Sequence, residues 1–216
     1  MNAAQSHDHD HELDESHEGM LPDSGIRDYA ARFLALKDTL IRKGIITEVE
    51  IKQAVHELQR RTPTNGAKVV ARAWVDQEYK ERLLTDPASA IAELGFTLDH
   101  ATTLVVVENT VARHNVIVCT LCSCYPTSLL GPPPDWYKSL AYRSRAVSEP
   151  RKIIEEFGLE LQNDIQVRVH DSTADVRYLV LPLQPAGTEH LNEEDLAALV
   201  TRDSMIGVTT PLVPVT

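Results

Sequence analysis

The chain has 216 residues, 43% of them hydrophobic, enough for one domain with a real core plus an appendage and too few for two large domains. Its formal charge of −11 argues against a nucleic-acid partner, whose phosphates demand a basic face, and suits a partner that is positive at its interface. Apolar runs such as Leu104-Val105-Val106-Val107 are only a few residues long, too short to span a bilayer. The polar start His7-Asp8-His9-Asp10-His11-Glu12 is no signal peptide, so no membrane and a cytoplasmic location are expected.

Residues 1–24 lack apolar periodicity and are expected to form a disordered His/Asp-rich tail. Its histidines alternate with acids, which can hold divalent metal, but the pattern reads first as a solvated tail. A helical arm is expected over 25–64. Ser24 can cap a helix with Ile26, Tyr29, Phe33, Leu36, Leu40 and Ile41 on one stripe, stopped by Gly44. Thr47 with Glu50 three residues on is a capping box, and the helix it opens runs through Ile51, Val55 and Leu58. Thr62-Pro63-Thr64-Asn65-Gly66 reads as a turn. These helices have few apolar partners nearby, which fits an arm that packs on another subunit.

Residues 65–216 read as an α+β domain. Val69, Val70, Ala73 and Trp74 continue a helical pattern, with a restart at Asp76. Asp86-Pro87 is a cap followed by proline at the first helical position, and Gly95 closes that helix. The period then changes. Residues 102–108 and 115–118 are β-rich, the second run leading straight into Cys119. Pro132-Pro133-Pro134 breaks the chain before a short helix around Trp136, and a further helix spans about 149–157. Strands at 165–170 and 176–183 follow, and a last helix runs from a cap at Asn192 to about Thr201.

All three cysteines fall within Cys119-Thr120-Leu121-Cys122-Ser123-Cys124. A structural zinc site uses four ligands, usually as two separated pairs, and no fourth ligand is evident here. Iron–sulfur clusters usually want four thiolates at wider spacing, and a thioredoxin-type pair leaves Cys124 unexplained. A tight curl turns the sulfurs and the peptide nitrogens of Ser123 and Cys124 toward one point. Three thiolates and two deprotonated amides suit a trivalent ion and leave one octahedral position open for water or substrate.

The segment Val118-Cys119-Thr120-Leu121-Cys122-Ser123-Cys124-Tyr125-Pro126 resembles the metal claw of nitrile hydratase α subunits. Residues 65–74, 131–138, 142–145 and 201–207 match further segments of that family in order, so the resemblance covers roughly 26–208. It implies an α-subunit-like fold, α+β, in which a long N-terminal helical arm embraces a β subunit and a layered α/β domain carries the claw loop. It also implies cobalt rather than iron, because threonine follows the first cysteine, as low-spin Co(III), one per chain. By the same resemblance Cys119 is the axial thiolate, Cys122 a sulfinic acid and Cys124 a sulfenic acid. The metal donors are then Cys119, Cys122, Ser123 and Cys124, and the catalytic positions Cys124 and Ser123. Oxidised sulfurs donate less, which raises the Lewis acidity of the metal, so that water adds to a nitrile carbon and an amide forms. Whether the oxygen comes from water activated at the metal or by way of the Cys124 sulfenate stays open.

The resemblance implies three further components: a β subunit, as αβ or α2β2, that supplies two arginines to the claw; a maturation factor for cobalt insertion; and a small-molecule nitrile. Where the family usually continues Trp-Pro after the claw, this chain has Thr127-Ser128, and a supporting glutamine aligns with His100. Thr127 and His100 are the expected pocket residues, with His100 either a hydrogen-bonding group near the claw or a plain loop residue. His114 and His170 are expected to be structural. The alternatives are the metal subunit of a thiocyanate-hydrolase-like complex, which shares the claw, and a non-catalytic metal-binding or assembly subunit on the same scaffold.

Overall fold

A computed structural model describes residues 23–99 and 101–214. The acidic, histidine-rich tail up to residue 22 and His100 lie outside the described residues. The chain divides into two compact units, one ending at Ala54 and the other beginning at Val55.

In the first unit, helix α1 (Asp23–Arg42) is followed by Gly44 at a φ of 69°, the left-handed conformation in which a glycine ends a helix without strain. The helix already includes Asp23, so Ser24 lies in its first turn instead of capping it. Tyr29, Phe33, Leu34 and Leu36 are exposed along α1. Helix α2 (Glu48–Gln59), which runs across the boundary between the units, has no buried residue and starts with the expected capping box. There the Thr47 amide donates to Glu50 Oε2 at 2.7 Å and the Glu50 amide to Thr47 Oγ1 at 3.1 Å.

The second unit opens with a difference from expectation. Residues 62–66 are not a turn: helix α3 (Pro63–Val75) starts there, with Pro63 in its first turn. Gly66 sits inside the helix because its face meets Leu130 and Met205, the latter only 2.7 Å from where a Cβ would stand. Tertiary contact therefore selects the residue that local propensity reads as a breaker. Helices α4 (Gln77–Thr85) and α5 (Pro87–Glu93) follow, capped by Asp76 and Asp86 through the amides of Tyr79 and Ser89.

Strand β1 (Thr103–Glu108) pairs in parallel with β4 (Val176–Leu181), and β2 (Arg113–Val118) in parallel with β3 (Gln166–Asp171). Parallel pairing needs a long crossover, and the one from β2 to β3 carries the cysteine cluster and four short helices. These are α6 (Thr127–Leu130), α7 (Asp135–Lys138), α8 (Leu140–Ser148) and α9 (Pro150–Glu156). Helix α10 (Glu193–Leu199) packs on α3, and α11 (Arg202–Ile206) packs against β4 and α3. The core joins Val69 and Val70 of α3, Leu83, Ile91, Val116 to Val118 of β2, Leu179 to Leu181 of β4, Ile154 and Met205, all essentially buried. Beneath the cluster lies an aromatic layer in which Trp136 meets Tyr142 and Phe157 edge-on, with ring centroids 4.9 and 4.7 Å apart.

Candidate metal centre

The cysteine loop leaves β2 at its carboxyl end, beside the carboxyl end of β3, where Val118 is paired with Asp171. Ligand sites in parallel sheets form at such strand ends. The three sulfurs converge, with their Sγ atoms all within 4.8 Å of one another. Cys119 Sγ lies 3.3 Å from that of Cys122, which lies 2.9 Å from that of Cys124. Cys119 is fully buried, Cys122 exposed and Cys124 partly buried, so the cluster has a closed back and an open front. As thiols the residues are unequal. Burial and the neighbouring sulfurs push Cys124 up to about 12, partly opposed by the charge of Arg177. Hydrogen bonds with Cys124 and Cys119 hold Cys122 below the usual thiol value. Cys122, exposed and with its deprotonation favoured relative to Cys124, is the readier of those two to give the thiolate, the form that binds metal.

Groups distant in sequence pin the loop by its main chain. The Thr120 amide donates to Asp171 Oδ1 at 2.9 Å and its hydroxyl to Oδ2 at 2.6 Å. Arg143 of α8 donates from Nε to the Cys119 carbonyl at 3.1 Å and from Nη2 to the Thr120 carbonyl at 2.8 Å. The Tyr137 hydroxyl donates to the Cys124 carbonyl at 2.9 Å, and that of Tyr142 to the Ile117 carbonyl at 2.6 Å. Both ends of the loop are therefore clamped while the sulfurs stay free to bind. Asp171, Arg143 and Tyr137 were not among the expected site residues. The sequence marks Tyr137 and Arg143 only as members of the shared segments 131–138 and 142–145, and Asp171 lies in neither.

Thr127, the first residue of α6, lines a cavity of about 100 Å³ immediately after the cysteine loop. Tyr125, Pro126, Ser128, Arg61 and Arg177 share that wall. Asp99 also lines the cavity, whereas its neighbour His100 is outside the described residues. The other two histidines serve the frame. His114 is buried, with Nε2 2.7 Å from the Gly207 carbonyl and Nδ1 3.4 Å from Asn109 Nδ2. His170 Nε2 lies 2.9 Å from Asn115 Oδ1.

Three clustered sulfurs on a clamped loop at the end of parallel strands define a cysteine-claw metal protein. The family model described as nitrile hydratase, alpha chain, matches residues 27–209. The chain belongs to that family. It is 50% identical over 199 residues to the low-molecular weight cobalt-containing nitrile hydratase subunit alpha of Rhodococcus rhodochrous, covering 91% of this chain and 95% of that one. It is 37% identical over 201 residues to the thiocyanate hydrolase subunit gamma of Thiobacillus thioparus, covering 86% and 81% of the two chains. Among solved structures, a double mutant of the Fe-type nitrile hydratase from Comamonas testosteroni Ni1 matches with a TM-score of 0.81 at 41% identity. That match covers 90% of this chain and 94% of the other.

Proposed function

We propose that this chain is the α subunit of a cobalt nitrile hydratase and, paired with a β subunit, hydrates nitriles to amides. The observation that carries the reading is the convergence of Cys119, Cys122 and Cys124 within 4.8 Å on a loop fixed through Thr120. The donor set fits the ion. The three sulfurs, with the peptide nitrogens of Ser123 and Cys124, would hold it, Cys119 as the buried donor. Thr120 and the cobalt-containing relative favour cobalt, while the Comamonas relative is of Fe type. When bound, trivalent cobalt supplies Lewis acidity that makes a nearby nitrile carbon electrophilic. The chain itself supplies the rest. Asp171, Arg143 and Tyr137 hold the loop in register. Cys122 and Cys124, at the open front, are the sulfurs placed for oxidation and for charge-assisted hydrogen bonds from partner arginines.

The same reading assigns residues 25–64 to an arm that embraces the β subunit, 65–216 to the catalytic domain, and the assembly to the cytoplasm as αβ or α2β2. No described helix is long and apolar enough to cross a membrane. The test is co-expression with the β subunit and the maturation factor, followed by metal analysis, mass spectrometry of the claw peptide and a nitrile-to-amide assay. We expect about one cobalt per α chain, two added oxygens on Cys122 and one on Cys124. Iron in fully active enzyme would overturn the cobalt assignment. A second reading, the metal subunit of a thiocyanate-hydrolase-like complex, is favoured by Thr127 and the polar cavity it lines. Co-purification with two smaller partners instead of one β-like chain would select it.

A further inference from the structure

The cavity that follows the claw is polar and carries charge. Arg61, Arg177 and Asp99 are its charged residues, one positive charge in excess, and Thr102, Thr127 and Ser128 add hydroxyls. The Asp99 carboxylate is engaged in its own turn, accepting the Ala101 amide at 3.0 Å. Arg177 spends Nη1 on the carbonyls of Thr173 and Val176, which leaves Nε and Nη2 to face elsewhere. Tyr125, Pro126 and Thr127 of this wall directly follow Cys124 in the chain, so the wall and the claw are neighbours. Arg61 is half-buried, and its guanidinium has no hydrogen bond or ion pair among the described residues. Half-buried cations without a counter-charge are costly, and a guanidinium fork matches a carboxylate in shape and charge. At about 100 Å³ the space suits a carboxylate on a short chain better than an aromatic ring.

We propose that Arg61 and Arg177 form an anion-binding subsite that selects nitriles carrying a carboxylate a few bonds from the cyano group. This rests on the nitrile-hydrating reading and names its substrate class. The carboxylate lies between the two guanidiniums while the cyano end points back along Tyr125 and Thr127 toward the claw. Thiocyanate, itself an anion, shares the chemistry this subsite recognises.

The experiment uses the metal-loaded complex and compares 3-cyanopropanoate with its uncharged isostere 4-methylpentanenitrile, with thiocyanate run alongside. The expected kcat/KM favours the carboxylate by about tenfold, Arg61→Gln removes that preference, and Arg61→Lys keeps part of it. The same ratio in wild type and Arg61→Gln, with both nitriles turned over, would overturn the subsite. Thiocyanate surpassing both nitriles and losing its advantage in Arg61→Gln would keep the anion site and overturn the carboxylate assignment. A second measurement does not depend on turnover. Propanoate should perturb the visible absorption of the metal centre at a concentration about tenfold lower in wild type than in Arg61→Gln. If no nitrile is hydrated but this difference is present, the nitrile reading fails and the subsite stands; if the difference is absent, the subsite falls.

Discussion

Asp171 accepts two hydrogen bonds from Thr120, one from the amide and one from the hydroxyl, and so fixes the main chain and the side chain between the first two sulfurs. The contact is exposed, so solvent screening holds the two bonds together to about 1–2 kcal/mol. Asp171→Ala should therefore lose metal to a chelator roughly tenfold faster than wild type. The exposed Asp164→Ala serves as control, and far-UV circular dichroism should stay unchanged for both. Equal metal retention in the two variants would show that Thr120 needs no anchor. The sulfur cluster itself could be read from the sequence, because three cysteines in six residues is a local signal. The roles of Asp171 and Arg143 could not, for they reach Thr120 from 51 and 23 positions away, and a shared segment around Arg143 does not say what it touches.

Between elements, a buried polar chain locks β2 to its surroundings. Asn109, after β1, accepts the Asn115 amide at 2.8 Å, and Asn115 contacts His170 of β3, while His114 reaches the carbonyl of Gly207 after α11. Burial holds both histidines below the ordinary imidazole value, aided at His170 by the charges of Arg168 and Arg113. Each folded-state value lies below the unfolded one, so the unfolded chain binds more protons below about pH 6.5 and stability falls with acid. Asp203, raised by burial, acts in the opposite sense as the pH enters the carboxylate range, so the measurement runs from pH 7.5 to 5.5. The thermal midpoint should drop by about 3–6 °C across it. His114→Gln should melt lower at pH 7.5 and show a shallower pH slope; an unchanged slope would remove His114 from the coupling. Element boundaries with local chemistry, such as Thr47 with Glu50 and Asp86 with Pro87, were legible in the sequence. The start of α3 was not, because Gly66 is chosen by Leu130 and Met205 across the core. Helix α8 was also missed, since it follows α7 directly and shows no apolar stripe strong enough to announce it.

At the scale of the whole molecule, the first unit exposes Tyr29, Phe33, Leu34 and Leu36 on α1, α2 across the boundary buries nothing, and the second unit holds the core and the claw. A chain beginning at Val55 should keep the secondary structure from α3 onward and its cysteine cluster yet fail to co-purify with the β subunit, with at least a tenfold loss of recovered complex. Undiminished co-purification would place the interface elsewhere. The parallel pairing of β2 with β3 also orders events in time. Cys124 precedes Asp171 by 47 residues (171 − 124), so a ribosome adding about 5–20 residues per second makes the sulfurs some seconds before the carboxylate that fixes their loop. During that interval the thiols belong to a nascent chain without its clamp, open to any oxidant or stray ion. The fully clamped loop thus exists only once β3 has been made.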